Sequence, residues 1–192
     1  MSTLRNPAVP NETIVHRAGS LAKRVGLVAA SAGVITVAGL ASDYAVWAPS
    51  RSEFSQAVTI DTVVGTVIFV VAVAALAALH SASAMELRRE PDQRGLVAGL
   101  VAVSIAGVIF FAWVAILGAQ FFAAAGTGDE GELITFALLS FVAYAAPAVG
   151  SLAASVVSAR NSTGRRPAFA APLVVLAVVA LAVIVLLLAI AL

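Results

Sequence analysis

Residues 173–192 read LVVLAVVALAVIVLLLAIAL, a run without a polar side chain on any face. A transmembrane barrel strand alternates lipid-facing and lumen-facing residues over about ten positions, so a uniformly apolar run of this length has to be a helix. At about 1.5 Å per residue, about 20 residues cross a hydrocarbon layer about 30 Å thick. Four further stretches meet the same criterion. The expected spans are therefore 25–47, 58–84, 96–122, 133–158 and 168–192, which makes the chain an all-α polytopic transmembrane helix bundle.

Composition agrees with lipid as the solvent. The 192 residues are 61% hydrophobic and 11% charged, too little polar surface to cover a core in water. Eleven basic residues nearly balance ten acidic ones, so no global field attracts nucleic acid. There is no cysteine, which removes disulfides, thiolate metal sites and thiol chemistry. All basic residues except Lys23 are Arg, and with the heavy Ala and Val usage this points to a GC-rich bacterial genome.

The charges lie between the apolar runs and give a sidedness. Lys and Arg are retained on the cytoplasmic side. Arg5, Arg17, Lys23 and Arg24 precede the first span, Arg88, Arg89 and Arg94 follow the second, and Arg160, Arg165 and Arg166 follow the fourth. The two remaining connections carry Asp43, Arg51 and Glu53, and Asp129, Glu130 and Glu132. Ten basic residues against one place the N-terminus in the cytoplasm, Leu192 outside, and the chain in the cell membrane as a multi-pass protein. Lys23 and Arg24 before an apolar run ending Gly39-Leu40-Ala41 also resemble a signal peptide, but the first span is expected to be retained.

Residues 1–24 are expected to form a cytoplasmic tail, separate from the bundle of residues 25–192. Within it Ile14, Val15, Ala18, Leu21, Ala22 and Val25 recur at helical spacing, which reads as an amphipathic helix on the inner membrane surface. Gly26-Leu27-Val28-Ala29 at the start of the first span is echoed by Gly95-Leu96-Val97-Ala98 at the start of the third, consistent with two hairpins of equal orientation.

Small residues mark where helices approach one another in lipid, because no hydrophobic force drives them together there. Gly95, Gly99 and Gly107 form one ridge on the third span, and Ala146, Gly150, Ala154 and Ser158 form another on the fourth. The expectation is that these ridges pack against each other or against a partner subunit. The fifth span lacks Gly and suits a peripheral, lipid-facing position.

Chemistry-bearing residues are few. No span carries Asp, Glu, Lys or Arg at its centre, which weakens an ion-coupled transporter reading. Asp61 is either a cation or proton site at the outer mouth or, the preferred reading, the cap of a helix beginning at Thr62. Pro147 is expected to kink the fourth helix and free a carbonyl that a neighbouring group satisfies. Together with Asp61 and the hydroxyls of Ser140, Tyr144 and Ser151 it outlines one polar path. His16 and His80 would share a side of the membrane, an arrangement that admits a haem, but a His near a helix C-terminus gains from the dipole without any ligand. No cofactor or metal is expected. Arg88, Arg89, Arg94, Arg165 and Arg166 are candidates for lipid headgroups, although a solvated loop is the simpler reading. No phosphate loop, nucleophile elbow or zinc-protease motif occurs, so no enzyme activity is expected.

The function expected is a non-catalytic accessory or assembly subunit that packs against a larger membrane complex or itself. The alternative is a small oligomeric transporter or channel. A third reading, a lipid-acting enzyme, lacks any nucleophile or base.

Overall fold

The computed structural model describes residues 11–51, 55–89, 94–126, 128–161 and 170–191. Five helices account for nearly all of them: α1 (Asn11–Arg51), α2 (Ser55–Arg89), α3 (Arg94–Ala124), α4 (Glu130–Asn161) and α5 (Ala170–Ala191). No strand occurs among the described residues. Four helices carry segments long and apolar enough to cross a membrane: Gly19–Ala45, Ile60–Arg89, Gly95–Ala124 and Glu130–Arg160. The α5 backbone runs for 22 residues.

The helices outrun the apolar segments at most ends. Hydropathy marks only the part that lipid requires to be apolar, whereas winding continues wherever the backbone can bond to itself. The largest difference is at the N-terminus. The separate surface helix expected within residues 1–24 is not a separate element where it is described: residues 11–24 continue unbroken into the first span as one 41-residue helix. Residues 1–10 lie outside the described part. A second correction concerns Asp61, which is not the cap of a helix starting at Thr62. α2 already begins at Ser55, which leaves Asp61 in its second turn and half-buried.

Successive helices run antiparallel. Lys23 near the start of α1 pairs with Glu86 near the end of α2, Phe122 near the end of α3 stacks with Phe136 near the start of α4, and Leu87, Leu96 and Leu100 share one cluster. The chain thus has a basic end, with Lys23, Arg24, Arg88, Arg89 and Arg160, and an acidic end, with Asp129, Glu130 and Glu132. At the acidic end the Asp129 carboxylate accepts the Glu132 amide at 2.7 Å and caps α4, where two further acids favour the positive end of the helix dipole.

α1 and α4 each touch all the other helices, while α3, α1, α2, α5 and α4 follow one another around the bundle. The reason is the small residues on the central pair. Ala38, Ala41 and Ala45 of α1, and Ala143, Ala145, Ala148 and Ala154 of α4, are all buried, and they let neighbouring backbones come close. Gly65 on α2 shows how close: a Cβ there would lie 2.8 Å from the Ala45 Cβ and 2.9 Å from the Ala41 carbonyl oxygen. Larger side chains fill what remains, with Phe69, Leu76, Phe111, Tyr144 and Leu176 fully buried. Outward faces carry Ile60, Val67, Val71, Ile109, Trp113, Leu138, Val178 and Leu181, an apolar coat that water would not tolerate.

Gly65→Ala should lower unfolding stability in detergent by about 1–3 kcal/mol, because backbone rather than a mobile side chain has to give way. Gly118→Ala has open space around its Cβ and should be neutral or stabilising by about 0.5–1 kcal/mol. Thermal or SDS titration of the two variants beside the parent chain measures the difference.

Candidate functional site

The small-residue ridges do not meet each other as expected. A Cβ at Gly99 would lie 2.9 Å from the side chain of Val28 on α1, and one at Gly107 would lie 3.1 Å from both Ile35 of α1 and Ala148 of α4. Gly95 has open space around it. On α4, Gly150 faces α5, where a Cβ would lie 2.9 Å from Val179 and 3.3 Å from Leu176, Ala154 is buried, and Ala146 borders a groove shared with α5. The physical reason is the central place of α1, whose branched side chains occupy the hollow that glycine leaves on α3. α5 is therefore peripheral yet seated: Leu176 and Val183 are buried, while Val174, Val178 and Leu181 face outward.

Pro147 removes the amide that would bond the Ala143 carbonyl one turn earlier. Ser42 of α1 supplies the missing donor, its hydroxyl reaching that carbonyl at 3.2 Å in a buried position. Tyr144, also buried, lies beside Phe111 with ring centroids 6.4 Å apart. Asp61 is elsewhere, one turn before Gly65 on the α1–α2 interface, so Asp61, Tyr144 and Pro147 of the proposed polar path are not gathered at one point. Arg88 and Arg89 are exposed at the basic end. The side chain of Arg94, and Arg165 and Arg166 altogether, fall outside the described residues.

The most concentrated polar chemistry lies at a residue that the sequence placed at a helix end. His80 is not terminal, because α2 continues to Arg89, and its side chain is fully buried where α2, α3 and α4 converge. Its Nε2 is 2.7 Å from the Ser151 hydroxyl on α4, and Ser151 is 3.0 Å from the Ser104 hydroxyl on α3. Ser104 also reaches the Leu100 carbonyl at 2.8 Å. One side chain from each of three helices thus forms a continuous hydrogen-bonded line inside the bundle. Ser31 of α1 is buried close by in level, since its neighbours Val28 and Ile35 bracket the stretch of α3 from Gly99 to Gly107.

More hydroxyls continue from there toward the basic end. Ser83, Ser155 and Ser158 are buried, and each donates to the carbonyl four residues earlier at 2.7–2.8 Å, which removes the cost of an unmet donor in lipid. Nearer the basic end Glu86 is itself buried and bonded to Lys23. A signal for this arrangement was present in the sequence: Ser151, Ser155 and Ser158 recur at helical spacing beside the ridge of Ala146, Gly150 and Ala154.

No three His, Cys, Asp or Glu stand together among the described residues, so His80 is an isolated nitrogen donor. The haem arrangement with His16 would draw on a histidine whose Nε2 Ser151 already engages, and the His16 side chain is outside the described residues. Two surface hollows among the described residues are lined mainly by apolar side chains. One of about 610 Å³ runs between α4 and α5 along Val142, Ala146, Val149, Val179 and Ala182, and a second of about 340 Å³ lies between α3 and α4, with Gln120 and Glu130 near the acidic end.

No family model, no curated protein and no solved structure matches the chain.

If His80 and Ser151 fasten α2 to α4, a double-mutant cycle with His80→Ala and Ser151→Ala should give a coupling of about 0.6–1.7 kcal/mol in bilayer-like solvent. Thr36→Ala, at an exposed hydroxyl bonded only within its own helix, should cost almost nothing. Steric or SDS unfolding assays in bicelles read both values.

Proposed function

We propose that the chain is a five-span protein of the cell membrane, with its N-terminus in the cytoplasm and its C-terminus outside, that works as a non-catalytic accessory or assembly subunit. The fifth span rests on α5, whose 22-residue backbone is long enough to cross. The cytoplasmic assignment of the basic end rests on the positive-inside rule. The observation that carries the functional reading is how the interior polar groups are used. His80 and Ser104 both bond to Ser151, Ser42 bonds to the carbonyl freed by Pro147, and the hollow between α4 and α5 is lined by Val and Ala. Such a molecule offers its surroundings packing surface rather than reactive groups. A partner in the membrane, or a second copy, has the α4–α5 groove and the small-residue faces beside it to pack against.

One observation favours the alternative, a small oligomeric transporter or channel. An ionisable side chain buried within a span commonly marks a substrate or ion pathway, and His80 is such a residue.

Two measurements test the proposal. The chain is free of cysteine, so single cysteines report topology directly. Gly128→Cys should react with an impermeant maleimide added outside intact cells, and Arg160→Cys should react only after permeabilisation; the reverse pattern contradicts the orientation. Native membranes solubilised gently should yield the chain in an assembly larger than its own monomer. A solitary monomer that conducts a solute after reconstitution would contradict the accessory role and support the alternative.

A further inference from the structure

The hollow of about 340 Å³ between α3 and α4 is built by two matching stripes. Its lining residues recur every three to four positions, from Ile116 to Ala123 on one helix and from Glu130 to Ala137 on the other, so each set follows one face of its helix. Ala119, Ala123 and Ala137 leave the space, and Ile116, Leu133 and Ile134 border it. From Ile116 to Ala124, the last residue of α3, is about 12 Å along the helix axis. That is less than half of a hydrocarbon layer about 30 Å thick, so the hollow belongs to one leaflet.

Polar groups line the hollow only toward the acidic end. Gln120 and Glu130 are exposed there, and among the described residues neither side chain has a hydrogen-bond or ion-pair partner. The neighbouring acids are placed otherwise: Asp129 accepts the Glu132 amide at 2.7 Å, and Glu132 does not line the hollow. The negative end of the α3 dipole lies at the same rim, while the positive end of α4 is already met by Asp129. The described Lys and Arg side chains, those of Lys23, Arg24, Arg88, Arg89 and Arg160, all stand at the opposite end. The rim is therefore negative and the walls are hydrocarbon.

We propose that this hollow binds a lipophilic cation, a single-tailed alkylammonium, with the tail along the alanine stripe and the ammonium donating to the Glu130 carboxylate and the Gln120 side-chain carbonyl. Charge complementarity decides the occupant. Lipid already solvates a hydrocarbon tail, so the tail gains little by leaving the bilayer for the hollow. Its part is to deliver the molecule to the leaflet and hold the head at the depth of the rim, where the carboxylate selects the sign of the charge. The volume stands at the lower end of the range for small-molecule sites, about 300–1,000 Å³, which are likewise mostly apolar with a few placed polar groups. That size suits one narrow tail. The inference rests on the bundle lying in lipid, and on neither the accessory role nor which end is outside.

Photolabelling of the full chain in phosphatidylcholine vesicles tests it. Three probes share one diazirine-bearing alkyl tail and differ in the head, a primary ammonium, an alcohol or a sulfonate, and are compared at equal mole fraction in the bilayer. The ammonium should mark the segments 116–123 and 133–137 about fivefold more than the alcohol, the upper end for an exposed ion pair, and the sulfonate should mark them least. Glu130→Gln should abolish the preference for ammonium over alcohol, and Glu130→Asp should keep most of it. Ala137→Leu, which fills the hollow and leaves the carboxylate in place, should reduce ammonium labelling of these segments to the level on the outward face of α2. Equal labelling by the three probes, labelling spread evenly over the lipid-facing helices, or a preference that survives Glu130→Gln would each overturn the proposal. So would crosslinking of these segments to a second copy in place of the probe.

Discussion

Everything in this bundle follows from having no water to answer a polar group. Inside hydrocarbon a backbone or side-chain donor must be met by the chain itself, and helices gain nothing from hiding apolar surface that lipid already solvates. The chain meets both conditions with small residues and hydroxyls. Alanine and glycine bring α1 and α4 close enough to their neighbours for packing to count, and Ser31, Ser83, Ser155 and Ser158 bond back into their own helices while Ser42, Ser104 and Ser151 reach across to another. Ser42 is the clearest case, because Pro147 creates a need on α4 and Ser42 answers it from α1. Neither residue is explicable alone.

The same constraint separates what was legible in the sequence from what was not. Five apolar segments with charged residues between them can be read from length and charge, and the helices lie over those segments. Their ends could not be read. Residues 11–24 show an amphipathic pattern that hydropathy treats as a separate surface element, yet nothing in them stops the winding, and one helix runs from Asn11 to Arg51. Asp61 looked like a cap for a similar reason: it is the first charge met on entering the apolar run, and its second-turn position depends on the polar stretch from Ser55 being helical too.

Contacts were less legible than elements. The stripe containing Gly99 and Gly107 identified surfaces of close approach but carried no information on the helix that fills them, and α1 rather than α4 supplies most of the filling. His80 was the larger omission. An imidazole near the end of an apolar run reads as an interfacial group, and its depth becomes apparent only when Arg89 is seen to close the helix and Ser104 and Ser151 arrive from two other helices. Serines at helical spacing in otherwise apolar text were the available signal, and they are easily passed over beside a ridge of Gly and Ala.

The central claim is that lipid, not water, surrounds this bundle. Trp113 reports on it directly, being 60% exposed and within about 6 Å of the middle of α3 along its axis. With Trp47→Phe removing the second indole, its fluorescence in bilayers should be blue-shifted, strongly quenched by lipids brominated deep in the acyl chain, and insensitive to aqueous acrylamide. Red-shifted emission quenched by acrylamide and indifferent to the brominated lipids would contradict the account.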